Sequence, residues 1–282
     1  MIKIITDSGS DISQEEGKIL DITIIPFKTY FNEEEYLDGI TLSHRQFYEK
    51  LIEEDTLPKT SQITPFEFEE IFKEATKDGD EVIYISISKK LSGTYQSACI
   101  ASLEFDGLVR VVDSENACAG EQILVKLACD LRKQGYTIDE MEEKLNEMKK
   151  QIKLLALVDT LEYLKKGGRI SSTTAFIGNL LSIKPVIEIK DGEVGVAGKA
   201  RGSKNGNNIL RELVTKSGGI DFDLPFCIVY SGLSDELLKK YIEDSKDLYE
   251  GIKNLQISTI GCTIGTHVGP GAIGVGFFAK EK

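Results

Sequence analysis

The stretch EVIYISISKKLSGTYQSA, residues 81–98, joins an apolar, β-branched run to a short polar loop and then to a helix-like segment. Residues 81–88 have the composition of a strand that is buried on both faces. Helical periodicity begins near Ser92 and continues to residue 104. A strand that leads through a loop into a helix is the repeating unit of α/β folds, so this stretch predicts that class.

The same alternation runs through the first half of the chain. Strands are predicted at residues 2–8, 22–31, 81–88 and 109–114, and helices at 43–54, 65–77, 92–104 and 120–134. For the helix at 65–77, Thr64 is a suitable cap, Pro65 suits the first turn and Gly79 can end it. We expect a mostly parallel, Rossmann-like sheet with flanking helices.

The second half has a different pattern. After a charged helix at 137–149, strands are predicted at 152–159, 184–199, 226–232, 255–261 and 272–280, and helices at 160–166, 172–181, 204–216 and 234–249. Asp191-Gly192 lies between two alternating runs and predicts a hairpin. We therefore expect a mixed or antiparallel sheet, with one α/β domain at residues 1–150 and a second at 151–282.

Composition excludes several functional classes. The net charge of −12 over 282 residues argues against nucleic acid as the main partner. No apolar run approaches the roughly 20 residues of a membrane span, and the N-terminus turns polar too early for a secretory signal. Five scattered cysteines predict reduced thiols in a cytoplasmic protein, and the two separated histidines predict no metal site.

Polar residues cluster near the predicted strand ends in TDSGSD (6–11), KTSQIT (59–64) and ISKKLSGTYQSA (87–98). The first stretch can bind a ligand or serve only as a loop and cap, and the residues leave both alternatives open. In the third, a helix start at Ser92 offers N–H groups and a hydroxyl to an anion, and Gly93 allows close approach. Thr60 and Ser61 can reach the same anion if the loops meet at one sheet edge.

Two basic loops stand out in this acidic chain, at residues 161–171 and 198–205. The first places Arg169 on a turn after two glycines, and arginine suits forked recognition of a carboxylate or phosphate. Solvated basic tails are the simpler explanation, but both loops are candidates for a docking surface.

HVGPGAIG, residues 267–274, has the glycine spacing of a dinucleotide-binding fingerprint. That fingerprint opens a helix, whereas the residues after Gly274 have the pattern of a strand, and Pro270 removes an N–H group from the turn. We therefore predict no nucleotide site here. The loop is expected to approach a ligand and to place His267 beside it. His44, on a polar helix start, is expected to be exposed.

Taken together, eight motifs resemble those of the DegV family of fatty-acid-binding proteins in order and spacing. They are TDSGSD, TSQITP, LSGTYQSA, VVDS, LEYLKKGGRIS, KP, GKAR and IGTHVGPGAIG. The resemblance covers essentially the whole chain. Ile12 and Ile63 depart from the usual Leu and Pro, and neither position supplies a donor group. The motif GKAR, at 198–201, is the loosest match.

The resemblance implies a long-chain fatty acid held in a buried tunnel between two α/β domains, with the second domain closing over the ligand. It assigns the carboxylate to Thr60 and Ser92, with Ser61 and Gly93 as neighbours, and places His267 near the head group. It further implies presentation of the acid to a separate ATP-dependent fatty acid kinase, carriage of the acyl phosphate and no cofactor.

Within that resemblance, Arg169 and Arg201 are candidates for contacts with the head group or the partner. The alternative from a different functional class is a small hydrolase or phosphotransferase that uses Ser92 as nucleophile and His267 as base. A long apolar tunnel favours the carrier, and a short polar pocket favours the enzyme.

Overall fold

The computed structural model describes residues 1–54, 56–171 and 183–280. The strands of the first half are β1 (Ile2–Asp7), β2 (Ile22–Ile25), β3 (Lys28–Phe31), β4 (Glu34–Leu37), β5 (Lys59–Ser61), β6 (Glu81–Ser86) and β7 (Val109–Asp113). Its helices are α1 (Gln14–Leu20), α2 (His44–Glu53), α3 (Pro65–Thr76), α4 (Thr94–Ser102), α5 (Cys118–Lys133) and α6 (Ile138–Met148). Strands β2-β1-β6-β7 form a four-stranded sheet in which every neighbouring pair is parallel, as predicted.

The prediction of one strand over 22–31 is wrong. β2 ends at Ile25, Pro26 follows, and β3 begins at Lys28 in a different, three-stranded sheet of order β4-β3-β5. Proline has no N–H group to donate to a ladder, so it ends the first strand and the chain turns away. The separate sheet includes part of KTSQIT as β5, in which Thr60 pairs with Thr29.

The second half contains the strands β8 (Ile152–Leu157), β9 (Ile183–Lys190), β10 (Glu193–Arg201), β11 (Phe226–Tyr230), β12 (Ile257–Thr259) and β13 (Ile273–Phe278). Its helices are α7 (Glu162–Lys166), α8 (Ser203–Lys216), α9 (Glu236–Asp244) and α10 (Cys262–Val268). The strands form a six-stranded mixed sheet of order β10-β9-β8-β13-β11-β12, in which only β11 and β12 are parallel neighbours. The α/β fold with one parallel and one mixed sheet is thus confirmed.

Local signals account for two features of these halves. Asp191 and Gly192 both have positive φ, 53° and 81°, as a tight two-residue hairpin between β9 and β10 requires. Thr64 caps α3 in a reciprocal capping box with Glu67.

The helix predicted at 172–181 lies outside the described residues. Helix α10 is not predicted by the sequence pattern, which indicates a strand at 255–261 and a loop at 267–274.

One apolar cluster joins the two sheets. It includes Ile5 of β1, Ile123 of α5 and Phe278 of β13. Helix α5 packs closely on the six-stranded sheet: a Cβ added to Gly276 of β13 would lie 2.7 Å from the Cβ of Ala119 in α5. The four-stranded sheet ends before residue 150 and the six-stranded sheet begins after it, but the division into two domains stays a prediction. Among the described residues, no helix has both the length and the apolar character needed to cross a bilayer.

Candidate functional site

A cavity of about 270 Å³ lies between the loops of the first half and the six-stranded sheet. Its apolar lining comes from both halves and includes Phe27, Ile87, Ala156, Ile187, Val229 and Ile264. A concave, mainly apolar site with a few polar groups is the usual form of a small-molecule binding pocket.

Most of the polar residues expected from the sequence also line this cavity. Thr60 and Ser61 come from β5, Ser92 and Gly93 from the loop before α4, and His267 from the last turn of α10. Thr60 Oγ1 lies 3.2 Å from His267 Nε2, a hydrogen bond that spans 207 positions of the chain. The structure therefore brings this predicted group together, while the role of each residue stays a prediction.

The loop around Ser92 differs in detail from the expected helix start. α4 begins at Thr94, and Gly93 is its N-cap, without a side-chain hydrogen bond. Ser92 Oγ accepts a hydrogen bond from the Thr94 N–H at 3.3 Å and lies 2.8 Å from Thr94 Oγ1. The serine thus closes a local turn, a common alternative to helix capping, and still lines the cavity.

Gln62 is a cavity residue to which the sequence assigned no role. A Cβ added to Gly93 would lie 2.1 Å from Gln62 Oε1, so the absence of a side chain at Gly93 admits this amide. Gln62 Nε2 donates to Ser97 Oγ at 3.2 Å. The only available signal was its position in KTSQIT, between residues that were already candidates.

His267 is a neutral imidazole at pH 7. Burial, followed by the nearby positive charge of Arg169, lowers its pKa to about 4. Its Nδ1 is buried and has no hydrogen-bond partner among the described residues. Gly167 lies against this nitrogen: a Cβ there would be only 2.2 Å from Nδ1. The Gly-Gly turn before Arg169 therefore makes room for the histidine ring as well as ending α7.

Arg169 connects the two sides of the cavity. Its Nε donates to the carbonyl oxygen of Leu91 at 3.1 Å, and its Nη1 donates to that of Gly167 at 2.6 Å. Half-burial lowers its pKa, yet a guanidinium group stays charged at neutral pH. Arg201 is exposed at the end of β10 and is not part of the lining formed by the described residues. The structure thus joins Arg169, but not Arg201, to the other candidates.

The HVGPGAIG segment has a different shape from a nucleotide loop. Gly269 and Gly271 have φ of 72° and 81°, and β13 follows at Ile273. The expectation of a strand after the glycines is confirmed. His267 itself lies on α10 rather than in the loop, which corrects the expected position of the residue.

TDSGSD is internal and structural. Asp7 Oδ2 accepts hydrogen bonds from Tyr84 OH at 2.6 Å and from the Ile87 N–H at 3.1 Å, and Asp11 Oδ1 accepts from the Gly261 N–H at 2.7 Å. Burial raises the pKa of Asp7 to about 6 and that of Asp11 to about 8. None of these six residues is among the described residues that line the cavity. Of the two alternatives, the loop-forming one fits these contacts.

His44 is partly buried instead of exposed. Its side chain is 26% accessible, and Nε2 lies 3.7 Å from Oδ1 of the buried Asp38. No local pattern predicts this contact, because Asp38 and His44 meet through a turn between β4 and α2.

Comparisons with known proteins agree with this architecture. The model of the DegV family matches residues 1–280. A DegV domain-containing protein from Clostridium acetobutylicum is 34% identical over 285 residues, which cover 99% of each chain.

Two solved structures are similar over 99% of both chains. A DegV family protein from Thermus thermophilus, described by its fatty acid binding, has a TM-score of 0.89 at 30% identity. DegV from Bacillus subtilis, described as a fatty acid binding protein, has a TM-score of 0.84 at 32% identity. Sequence and fold thus agree along the whole chain: it belongs to the DegV family.

Proposed function

We propose that this protein binds a long-chain fatty acid in the cavity between its two halves. The observation that carries the proposal is a mainly apolar cavity whose lining also holds Thr60, Ser92, His267 and Arg169. The fatty acid binding described for the two solved relatives supports the same ligand class.

The head group is recognised by hydroxyl donors with one cation nearby. Thr60 and Ser92 donate to the carboxylate, with Ser61 and the Gly93 N–H close by, and Arg169 supplies positive charge. Neutral His267 holds Thr60 in place through the 3.2 Å contact. Charge-assisted hydrogen bonds of this kind are short and directional, and they orient the carboxylate.

The apolar walls supply most of the affinity. Transfer of a 16-carbon chain from water is worth on the order of 10 kcal/mol gross, at about 0.8 kcal/mol per methylene. The loss of motional freedom on binding offsets part of that gain. The head-group residues then serve mainly to present the carboxyl end in a fixed orientation.

The bound acid is presented to a separate ATP-dependent fatty acid kinase in the cytoplasm. In that step a carboxylate oxygen attacks the γ-phosphorus of ATP, ADP leaves, and the protein keeps the acyl phosphate. The chain contains no G-x-x-x-x-G-K-[ST] phosphate loop of its own, which supports a division of labour between two proteins. It requires no cofactor, and Arg169 and the exposed Arg201 are the cations offered to the phosphate or the partner.

The enzyme alternative needs Ser92 and His267 to act as a pair. In the structure Ser92 Oγ contacts Thr94, whereas His267 Nε2 contacts Thr60. These contacts favour a carrier over a nucleophile activated by a base.

The test uses fatty-acid-loaded protein, ATP and a bacterial fatty acid kinase. We expect acyl phosphate and ADP only when all three are present, and none from the protein with ATP alone. Turnover by the protein alone, or failure of loaded protein to serve as a kinase substrate, would refute the carrier role. Ser92→Ala should weaken lipid binding, and with ATP alone it should form no acyl phosphate, like the wild-type protein.

A further inference from the structure

Aspartate side chains from the first half hold the start of α10. The Gly261 N–H donates to Asp11 Oδ1 at 2.7 Å. The next two backbone groups, the N–H of Cys262 and of Thr263, donate to Asp38 Oδ1 and Oδ2 at 2.9 and 3.0 Å. Three successive N–H groups at the start of a helix, which have no partner within it, are thus satisfied from distant parts of the chain.

Both aspartates are themselves held in place. Asp11 and Asp38 are 3% and 2% exposed. The main-chain oxygen of Asp11 accepts from Ser258 Oγ at 3.0 Å, and Ser8 Oγ donates to Asp38 Oδ2 at 3.1 Å. A Cβ on Gly261 would lie 2.9 Å from His44 Nε2, 3.1 Å from Asp11 Oδ1 and 3.2 Å from Asp38 Oδ1, so the absence of a side chain there permits this close contact.

The other end of α10 carries the head-group histidine. The helix has seven residues, and the rise of about 1.5 Å per residue places His267 roughly 7–8 Å along the axis from Cys262. So short a helix moves as one body. A tilt at its start changes the distance between His267 and Thr60.

We propose that Asp11 and Asp38 are positioning residues, which clamp the start of α10 so that His267 faces Thr60 at the head-group end of the cavity. The proposal rests on the proposed function for its relevance to fatty acid, and it gives Asp11 of the TDSGSD motif a role beyond the structure of its own loop. The clamp joins the two halves at the helix that carries the histidine.

Substitution by asparagine is expected to have different effects at Asp11 and at Asp38. Burial raises the pKa of Asp11 to about 8, so this carboxyl group is largely protonated at pH 7. Asparagine has nearly the same shape and keeps an oxygen for the Gly261 N–H, whereas alanine removes the acceptor. Asp38 accepts through both oxygens, so even asparagine cannot satisfy all of its donors.

The experiment compares Asp11→Ala, Asp38→Ala and the conservative Asp11→Asn with the wild-type protein. A matched control, Val82→Ala, removes methyl groups from the buried core of β6, away from α10, and lowers stability without touching the clamp. The chain has only two histidines, so ¹⁵N-detected imidazole spectra resolve His267, assigned with His267→Gln. Affinity is measured by displacement of a fluorescent long-chain fatty acid.

We expect both alanine variants to shift the His267 imidazole resonances and to weaken binding about fivefold to tenfold, equivalent to one lost hydrogen bond. Asp11→Asn should recover most of both losses relative to Asp11→Ala, and Val82→Ala should change neither. If Asp38→Ala does not fold, Asp38→Asn takes its place with the same expectation.

The positioning role is overturned if the clamp variants lower the melting temperature but leave the His267 resonances and the affinity like those of Val82→Ala. Absence of fatty acid binding by the wild-type protein refutes the proposed function instead. The histidine spectra still test the clamp in that case, so the two failures are distinguishable.

Discussion

Replacement of Gly167 by alanine should displace His267 from the head-group site. The backbone at Gly167 has negative φ, −74°, so alanine is conformationally allowed there. The added Cβ would lie 2.2 Å from Nδ1 and 2.9 Å from Cε1 of His267, with the carbonyl oxygen of Tyr163 at 3.1 Å. The methyl group therefore meets rigid backbone on one side and the imidazole ring on the other.

The size of the effect follows from these distances. Ordinary contacts of a Cβ begin near 3.4 Å, so the ring must move by about 1.2 Å. A shift of that size breaks the 3.2 Å hydrogen bond between His267 and Thr60. Overpacking costs about 1–3 kcal/mol and the lost hydrogen bond about 1 kcal/mol. We expect a decrease of about 2–4 kcal/mol in the free energy of unfolding.

Urea denaturation of Gly167→Ala, His267→Ala and the double variant measures this coupling. Without the ring, the added methyl group has space, so the double-mutant cycle should give an interaction energy above about 1 kcal/mol. Gly195→Ala is the matched control, because its Cβ would be 3.8 Å from the nearest side-chain atom and its φ is not positive. That variant should stay within about 0.5 kcal/mol of wild type.

Additive effects of the two substitutions would refute this reasoning. So would a Gly167→Ala protein whose imidazole spectrum and stability match those of Gly195→Ala. Either result would mean that Gly167 serves only to end α7.

Three further changes test other parts of the site. Thr60→Val keeps the shape of the side chain but removes the hydroxyl, and it should weaken fatty acid binding about fivefold in a displacement titration, whereas an unchanged affinity would remove Thr60 from the head-group site. Ala156→Phe should fill part of the apolar cavity and lower the affinity for long fatty acids more than for short ones, as measured over a series of chain lengths. An equal loss of affinity at every length would mean that the acyl chain binds outside this cavity. Asp11 has a folded pKa of about 8 against an ordinary 3.8, so its contribution to stability is full below pH 3.8 and is lost as pH rises through 8. As the pH rises from 5 to 8, the free energy of unfolding of Asp11→Asn should therefore increase relative to wild type by up to about 1.4 kcal/mol per pH unit, as measured by urea titrations. If the free energies of unfolding of the two proteins have the same pH dependence, the raised pKa of Asp11 is wrong.

Features set by neighbouring residues were predictable from the sequence. The capping box at Thr64 and the Asp191-Gly192 hairpin each depend on a few adjacent residues, and both form as expected. The parallel sheet followed from runs of apolar residues at strand length. The break between β2 and β3 also has a local signal, Pro26 itself, although the strand predicted at 22–31 includes this residue.

Features set by distant contacts were not predictable. Helix α10 is seven residues long and contains Gly265, so its own periodicity is weak. Aspartate side chains more than 200 positions earlier complete the hydrogen bonding at its start. The polar loops at the predicted sheet edge already suggested that Thr60 and Ser92 meet, and the family resemblance placed His267 near the same head group. The position of the Gln62 amide against Gly93 and the fit of Gly167 against the imidazole depend on atomic packing alone.

The lipid content of the native protein tests the central claim most directly. Protein purified gently from bacteria, without detergent, is extracted and analysed by mass spectrometry, with Ala156→Phe as the variant in which the cavity is partly filled. We predict long-chain fatty acid in an amount comparable to the protein, and a clear reduction in the variant. Protein that carries no lipid and binds none when it is added would contradict the account.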